Sequence, residues 1–213
     1  MVVLDQPVLP GVPLVGIDDA GGAGAAFRHL VGLGHRPLAV LAMPLCPDGR
    51  LGRADATRQR AVSYQVIRQR LAGAAAAAAE AGITWAQVPI MECATNDPDA
   101  GALGAAQLLA RPERPTAIFA FSDQLALGTL RAAHGAGISA PDRLSVVGFD
   151  DSPPAHSADP PLTTVAQPLR ERGHAVGAPV RALVRGEEVA SPAPYPVQLV
   201  VRGSSAAVPT AAP

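Results

Sequence analysis

Aromatic residues make up only 3% of this chain, so its core cannot rest on stacked rings and must be built from Ala, Val and Leu. Cysteine is also scarce. Cys46 and Cys93 stand far apart with no CxxC pair, which excludes a disulfide framework and argues against a metal centre. Each reads as an isolated buried thiol. Excess charge of one sign is missing too, because 17 basic residues meet 18 acidic ones, whereas a nucleic-acid footprint needs a basic face or stripe. The arginines between Arg50 and Arg70 are interrupted by Asp55 and have almost no aromatic stacking partners, so they read as a solvated helix face. No long apolar run exists, and Met1-Val2-Val3-Leu4-Asp5 lacks the positive region and apolar stretch of a secretion signal. A soluble, cytoplasmic protein without a membrane partner is expected.

What is present is alternation. The 213 residues, 48% of them hydrophobic, suit one large domain or two small lobes. Apolar strand-length runs fall at 13–17, 37–43, 85–91, 117–121 and 144–149. Helical patterns lie between them at 24–33, 57–81, 98–110 and 124–135. In the first helix Phe27, Leu30 and Val31 share a face and Gly34 is placed to end it; in the third, Leu103, Leu108 and Leu109 are expected inside. The first half of the 57–81 helix is polar almost all round, which leaves its start open by several residues. Strands that are apolar throughout, alternating with helices, predict a parallel sheet covered on both faces. Beyond 149 come a Pro-rich loop at 152–161, an extended stretch at 162–167, an amphipathic helix at 169–185 and a last strand at 195–201. The Ala- and Pro-rich residues from Ser204 onward are expected to be disordered.

Several enzymatic readings fail. Gly21-Gly22-Ala23-Gly24 opens a helix after a strand, but the third glycine of a dinucleotide loop would fall at Phe27, and Asp18 and Asp19 would face the phosphates. There is no GxxxxGK[ST] loop and no GxSxG elbow. The five histidines show no HxxxH spacing, and His29 and His35 read as cations at a helix end. No catalytic residue, metal ligand or cofactor is expected. The polar residues that do stand out follow strands: Asp18 and Asp19, Ser122 and Asp123, Asp150 and Asp151. Strand carboxyl ends in a parallel sheet open onto the ligand crevice. Such residues either cap the helices that follow or hold a ligand rich in hydroxyl or amine donors, and for Asp150 capping is the weaker reading because Ser152-Pro153-Pro154 follows.

The run SDQLALGTLRAAHGAGISAPDRLSVVGFDD from Ser122, the run PPLTTVAQP from Pro160, HLVGLGHRPLAVL from His29 and the quartet Arg70-Leu71-Ala72-Gly73 resemble the effector-binding region of LacI/GalR-family transcription regulators. The resemblance covers nearly the whole chain in order, apart from residues 44–69. It implies an α/β, periplasmic-binding-protein-like doubly wound fold of two lobes, with a small effector between them and a helix-turn-helix ahead of them. The lobe crossings then fall near Asp18-Asp19, near Thr164-Val165 and at 190–193. Residues 19–164 and 193–205 would form an essentially complete C-terminal lobe. Residues 1–18 and 165–192 would be a remnant of the N-terminal lobe, and 206–213 a disordered tail. Operator DNA would be contacted only through a helix-turn-helix that these residues do not contain, in a protein expected to be a homodimer.

The resemblance also implies site roles. Arg70 falls where the family has an effector-contacting arginine, and Asp150 where an acidic residue bonds effector hydroxyl or amine groups. Ser122 lies at a strand end that often touches ligand, and Asp5 at a hinge position facing the cleft. Asn96 replaces an aromatic ring that stacks on sugar or purine, and its amide favours hydrogen bonding to a polyol. A sugar or sugar derivative is the expected effector. The alternative is a solute-binding protein of a sugar transporter, which shares the two-lobe architecture and would carry a signal peptide upstream of Met1 instead of a helix-turn-helix.

Overall fold

A computed structural model of the chain describes residues 3–4, 12–187 and 189–208. Strand β1 (Val3–Leu4) runs parallel to β2 (Leu14–Val15), and α1 (Asp19–Gly32) follows. Then come β3 (Leu38–Ala42), β4 (Gly52–Arg53), α2 (Ala56–Arg60), α3 (Gln65–Glu80), β5 (Ile90–Glu92), α4 (Pro98–Leu109), β6 (Ala117–Ala120), α5 (Asp123–Gly135) and β7 (Ser145–Val147). The central sheet has the order β4-β5-β3-β6-β7 and is parallel except for the edge strand β4, as the doubly wound reading expects. The chain closes with α6 (Pro153–Ser157), β8 (Thr164–Ala166), α7 (Leu169–Val184) and β9 (Gln198–Val200), with β8 and β9 paired antiparallel.

The strands read as continuous apolar runs because both faces are covered, and the two-residue period sorts their side chains into two cores. Leu38, Val40, Ala42, Ala117, Phe119 and Phe121 pack with Phe27 and Leu30 of α1 and Ile67, Leu71 and Ala74 of α3. Ala39, Leu41, Ile118 and Ala120 face the other way, onto Leu108 of α4 and Leu125 and Leu130 of α5. The chain's four phenylalanines are all fully buried in the first core, each contributing about 1.5–3 kcal/mol of burial. The scarcity of rings is offset by putting every phenylalanine inside.

Several boundaries differ from the sequence expectation, each for a local reason. Helix α1 starts at Asp19 and not at 24, because Asp18 caps it by accepting the Gly21 N–H at 2.8 Å. The expected 57–81 helix is two helices: Asp55 caps α2 by accepting the Arg58 N–H at 2.8 Å, and the chain turns before α3. Leu103 is 60% exposed, on the outer face of α4. The tail is anchored through Val208, whose N–H donates to the Leu33 carbonyl at 3.0 Å, while the Ala206 N–H donates to Ser145 Oγ at 3.0 Å. The expectation of disorder therefore fails for 204–208, and 209–213 lie outside the described residues. Along α7 only Arg172 is buried; Leu169 and Val184 are 59% and 83% exposed, so much of its apolar face meets no partner among the described residues.

Each helix pair closes on glycine. A Cβ on Gly73 of α3 would lie 2.0 Å from the Ala20 carbonyl oxygen of α1, and one on Gly128 of α5 would lie 2.2 Å from that of Pro98 at the start of α4. Backbone lies against backbone there, so nothing flexible can yield. Gly135, at the end of α5, has open space around it. We expect Gly128→Ala to lower stability by about 1–3 kcal/mol through overpacking, whereas Gly135→Ala is neutral or stabilises by up to about 1 kcal/mol through helix propensity. Urea unfolding of both variants checks this, and equal midpoints would remove the close-approach argument.

Candidate ligand-binding crevice

From β3 the chain goes to β4 and β5 on one side, then back across to β6 and on to β7. The direction of winding therefore reverses between β3 and β6, and at such a switch point the strand carboxyl ends part to leave a crevice. Arg70, in the second turn of α3, fills the base of that crevice. Its Nε donates to Asp19 Oδ1 at 2.7 Å and its Nη1 to the carbonyl of Phe121, immediately after β6. Its Cζ sits 3.6 Å from the centre of the Phe149 ring, a cation–π contact, and its Nη2 lies 3.8 Å from Asp150 Oδ1. Arg70 and Asp19 are both buried, so the pair is shielded from water and salt.

Asp150 stands at the carboxyl end of β7 in an uncommon backbone state. Its φ is 120° and that of Asp151 is 56°, a region that side-chain-bearing residues rarely adopt and that concentrates at functional sites. The neighbourhood holds it there. The Asp150 N–H donates to the Val165 carbonyl at 2.8 Å, and Gln167 Nε2 donates to Asp150 Oδ1 at 2.6 Å. The other end of the Gln167 amide accepts from Arg172 Nη1 of α7 at 2.8 Å. Asp151 accepts from Arg202 Nη2 at 2.7 Å. Burial pushes the Asp150 carboxyl up to about 7, against the opposing pull of the Arg70 guanidinium, with the nearby Asp123 and Asp19 carboxylates adding to the rise. Asp123 is itself sealed: it accepts from Thr164 Oγ1 at 2.5 Å and from the Ser152 N–H at 2.6 Å, and burial raises its pKa as well.

Of the residues expected at the site, Arg70, Asn96, Ser122 and Asp150 do converge here, and Asp5 lies outside the described residues. The direct ligand contact expected of Ser122 does not fit a side chain with 0% exposure. Its hydroxyl accepts from the Leu125 N–H at 3.2 Å, capping α5, and donates to Asn96 Oδ1 at 2.5 Å. The capping alternative is the one realised, and it holds the exposed Asn96 beside the crevice. His29 and His35 are not helix-end cations: burial lowers both, and His35 is enclosed by Thr116, Ser145 and the Ala206 carbonyl at 3.0 Å each. Gly22 serves packing and no phosphate, since a Cβ there would meet Val197, Val165 and Phe149. Burial pushes the Cys93 thiol up to about 12, as for an inert buried cysteine. No cluster of three His, Cys, Asp or Glu suited to a metal occurs among the described residues.

Sequence reasoning missed Gln167, although it lies inside the PPLTTVAQP run, and it read Phe149 only as core. It also missed the clamp at the other side of the crevice. Fully buried Glu92 accepts from Arg58 Nε and Nη2 at 2.8 and 2.7 Å and from the Leu45 N–H at 2.7 Å, while Arg58 also binds Asp48 at 2.7 Å. That clamp fixes the segment between β3 and α3 against the end of β5.

The raised Asp150 carboxyl has a consequence for stability. The folded chain keeps a proton that the unfolded chain gives up near the ordinary value of 3.8, so Asp150 costs stability as pH rises towards about 7. With 31% of the side chain still open to solvent, the cost is smaller than for a sealed carboxyl. Asn is isosteric and shares the tolerance of positive φ. We expect the Tm of Asp150→Asn, relative to the unsubstituted chain, to be higher at pH 8 than at pH 5. A Tm difference independent of pH would contradict the raised carboxyl.

Comparison with known proteins agrees with this geometry. Residues 27–205 match the periplasmic binding protein-like domain family. The HTH-type transcriptional regulator Rv3575c of Mycobacterium tuberculosis is 38% identical over 83% of this chain and 49% of its own length. The repressor CytR of Escherichia coli is 33% identical over 93% of this chain and 53% of its own. The chain thus spans about half the length of these curated relatives. Among solved structures, a LacI-family regulator from Enterococcus faecium with bound ribose superposes over 98% of this chain and 71% of its own, with a TM-score of 0.83 at 25% identity. No helix among the described residues is long and apolar enough to cross a membrane. The chain belongs to the periplasmic binding protein-like domain family, in the form carried by LacI-family transcriptional regulators.

Proposed function

We propose that this chain is the effector-binding region of a LacI-type transcriptional regulator, which takes a small hydroxyl-rich effector, a sugar or sugar derivative, in the crevice around Arg70 and Asp150. The observation that carries the reading is the chemistry gathered there. Arg70 is already neutralised by Asp19, which leaves Asp150 as the accessible acceptor and Asn96 as a two-way hydrogen-bonding amide beside it. Carboxylates outnumber cations in that corner, which disfavours a phosphorylated effector and favours hydroxyl donors. A structural neighbour with bound ribose and another described as a cellobiose complex support the same ligand class. Among the described residues of the crevice no group is arranged to activate a nucleophile, which supports a binding site over a catalytic one.

In this reading residues 19–164 and 193–205 form the C-terminal lobe, and residues 1–18 and 165–192 belong to the other lobe. Operator DNA is bound through a helix-turn-helix of the whole cytoplasmic protein, acting as a homodimer. A dimeric Lac repressor among the structural neighbours supports that assembly. The link Arg172–Gln167–Asp150 joins α7 of one lobe to the ligand carboxylate of the other, so effector and lobe arrangement share one set of hydrogen bonds.

The test is calorimetry with a panel of neutral sugars that includes ribose and cellobiose. At least one is expected to bind, and Asp150→Ala should weaken it by about 1.5–3 kcal/mol, the usual range for a hydrogen bond to a charged group. Affinity should rise from pH 6 to pH 8, because the ionised carboxylate is the better acceptor and Asp150 ionises near 7. Arg131→Ala, in an exposed pair with Asp99, should leave affinity unchanged. A panel without a binder, or an Asp150→Ala variant that binds as well, would contradict the proposal.

A further inference from the structure

A second concavity lies at the opposite end of the sheet. The residues that lead into β3, β5 and β6 enclose a cavity of about 350 Å³ at the amino-terminal ends of those strands, a full strand length from Arg70. That volume is within the range of small-molecule sites. Its floor includes Leu38, Ile83 and Val88, and its charged lining is Arg36, Arg111 and Glu113.

Arg111 is the unexplained part. Its Nε is buried without a hydrogen-bond partner, and among the described residues its guanidinium has no carboxylate or carbonyl acceptor. A buried donor left unmade is costly and calls for an acceptor. Arg111 follows the C-cap of α4, Ala110, where a cation can take up the last carbonyls of the helix; its backbone N–H donates to the Leu108 carbonyl at 3.4 Å, yet none of those carbonyls accepts from its guanidinium. Glu113, two residues on, makes no ion pair with it. Arg36 commits Nη1 to the carbonyls of Val31 and His35 and has no other protein acceptor among the described residues. Two guanidiniums and one carboxylate give the lining a net charge of +1 by simple count, which complements a monoanion and leaves a dianionic phosphate half-neutralised. A carboxylate matches the guanidinium fork, and the floor offers apolar surface to the rest of such a molecule.

We propose that this cavity is a second ligand site, separate from the crevice, that takes a small organic carboxylate, with the carboxylate on Arg111 and Arg36 and the apolar body over Leu38, Ile83 and Val88. Occupancy would fix the amino-terminal ends of the three strands whose other ends form the crevice.

The test is a titration of the isotope-labelled 213-residue chain with benzoate, followed by amide resonances. Saturable shifts are expected at 36–38, 83–89 and 111–115, with no change at 150 and 167. Arg111→Gln should weaken benzoate about tenfold or more, the loss of roughly one charge-assisted bond, without changing the melting temperature, because the guanidinium has no hydrogen-bond acceptor among the described residues to lose. Glu113→Gln should bind benzoate more tightly, since a repelling charge is gone. Shifts elsewhere on the surface, no saturation by about 10 mM, where affinity is negligible, or equal binding by both variants would each overturn the site.

Discussion

The buried pair of Arg70 and Asp19 is the interaction on which the crevice depends. Taking both charges out of water costs several kcal/mol per ion, and the pair is tolerable because more of the guanidinium is engaged beside it. The Phe121 carbonyl takes one of them, and the Phe149 ring lies under the guanidinium face. This single side chain thereby joins α3, α1, the end of β6 and the end of β7. The approach that makes the pair possible is set by Gly73, one turn further along α3, where the α1 backbone lies too close for any side chain. Packing and electrostatics are therefore one constraint: the helices must touch for the ions to meet, and the ions must meet for the crevice floor to exist.

From that floor the network extends outward. Asp150 is held in its positive-φ conformation between Arg70 beneath it and Gln167 across from it, and Gln167 passes the contact on to Arg172, the one buried residue of α7. Arg172 Nη2 in turn donates to the Val15 carbonyl of β2 at 3.3 Å. The residues that touch the proposed ligand and those that tie the outlying elements to the central sheet are thus neighbours in one chain of hydrogen bonds. A ligand hydroxyl that replaced the amide of Gln167 on Asp150 would act on the side chain that also accepts from Arg172 of α7.

The main strands and helices were legible because their apolar runs and periods are set by neighbours within a few residues. Residues 44–64 were not, because β4 and α2 arise from a cap at Asp55 and a clamp to Glu92, 34 residues from Arg58. The tail was misread for the same reason: composition cannot reveal that Ala206 closes over His35, 171 residues away in sequence. At the site, the strand-end positions pointed to Asp150, which lies 3.8 Å from Arg70, and to Ser122, next to the carbonyl of Phe121 that Arg70 binds. What could not be read was the division of labour. Ser122 is consumed by its cap and by Asn96, Asp19 serves Arg70 from 51 residues away, and Phe149 supplies a face as well as core volume. These are properties of a three-dimensional meeting point, and strand ends alone do not encode them.

The central claim, that the Arg70–Asp19 pair organises the crevice, is tested most directly by a double-mutant cycle in urea unfolding. Asp19→Asn alone leaves a buried cation short of its carboxylate and should cost about 3–5 kcal/mol, with Arg70→Met costing a comparable amount by taking the cation from the buried carboxylate. The double variant should lose clearly less than the sum of the two, because no unpaired charge then remains in the interior. If the two losses simply add, the two ions do not act as a unit, and the crevice floor does not depend on their pairing.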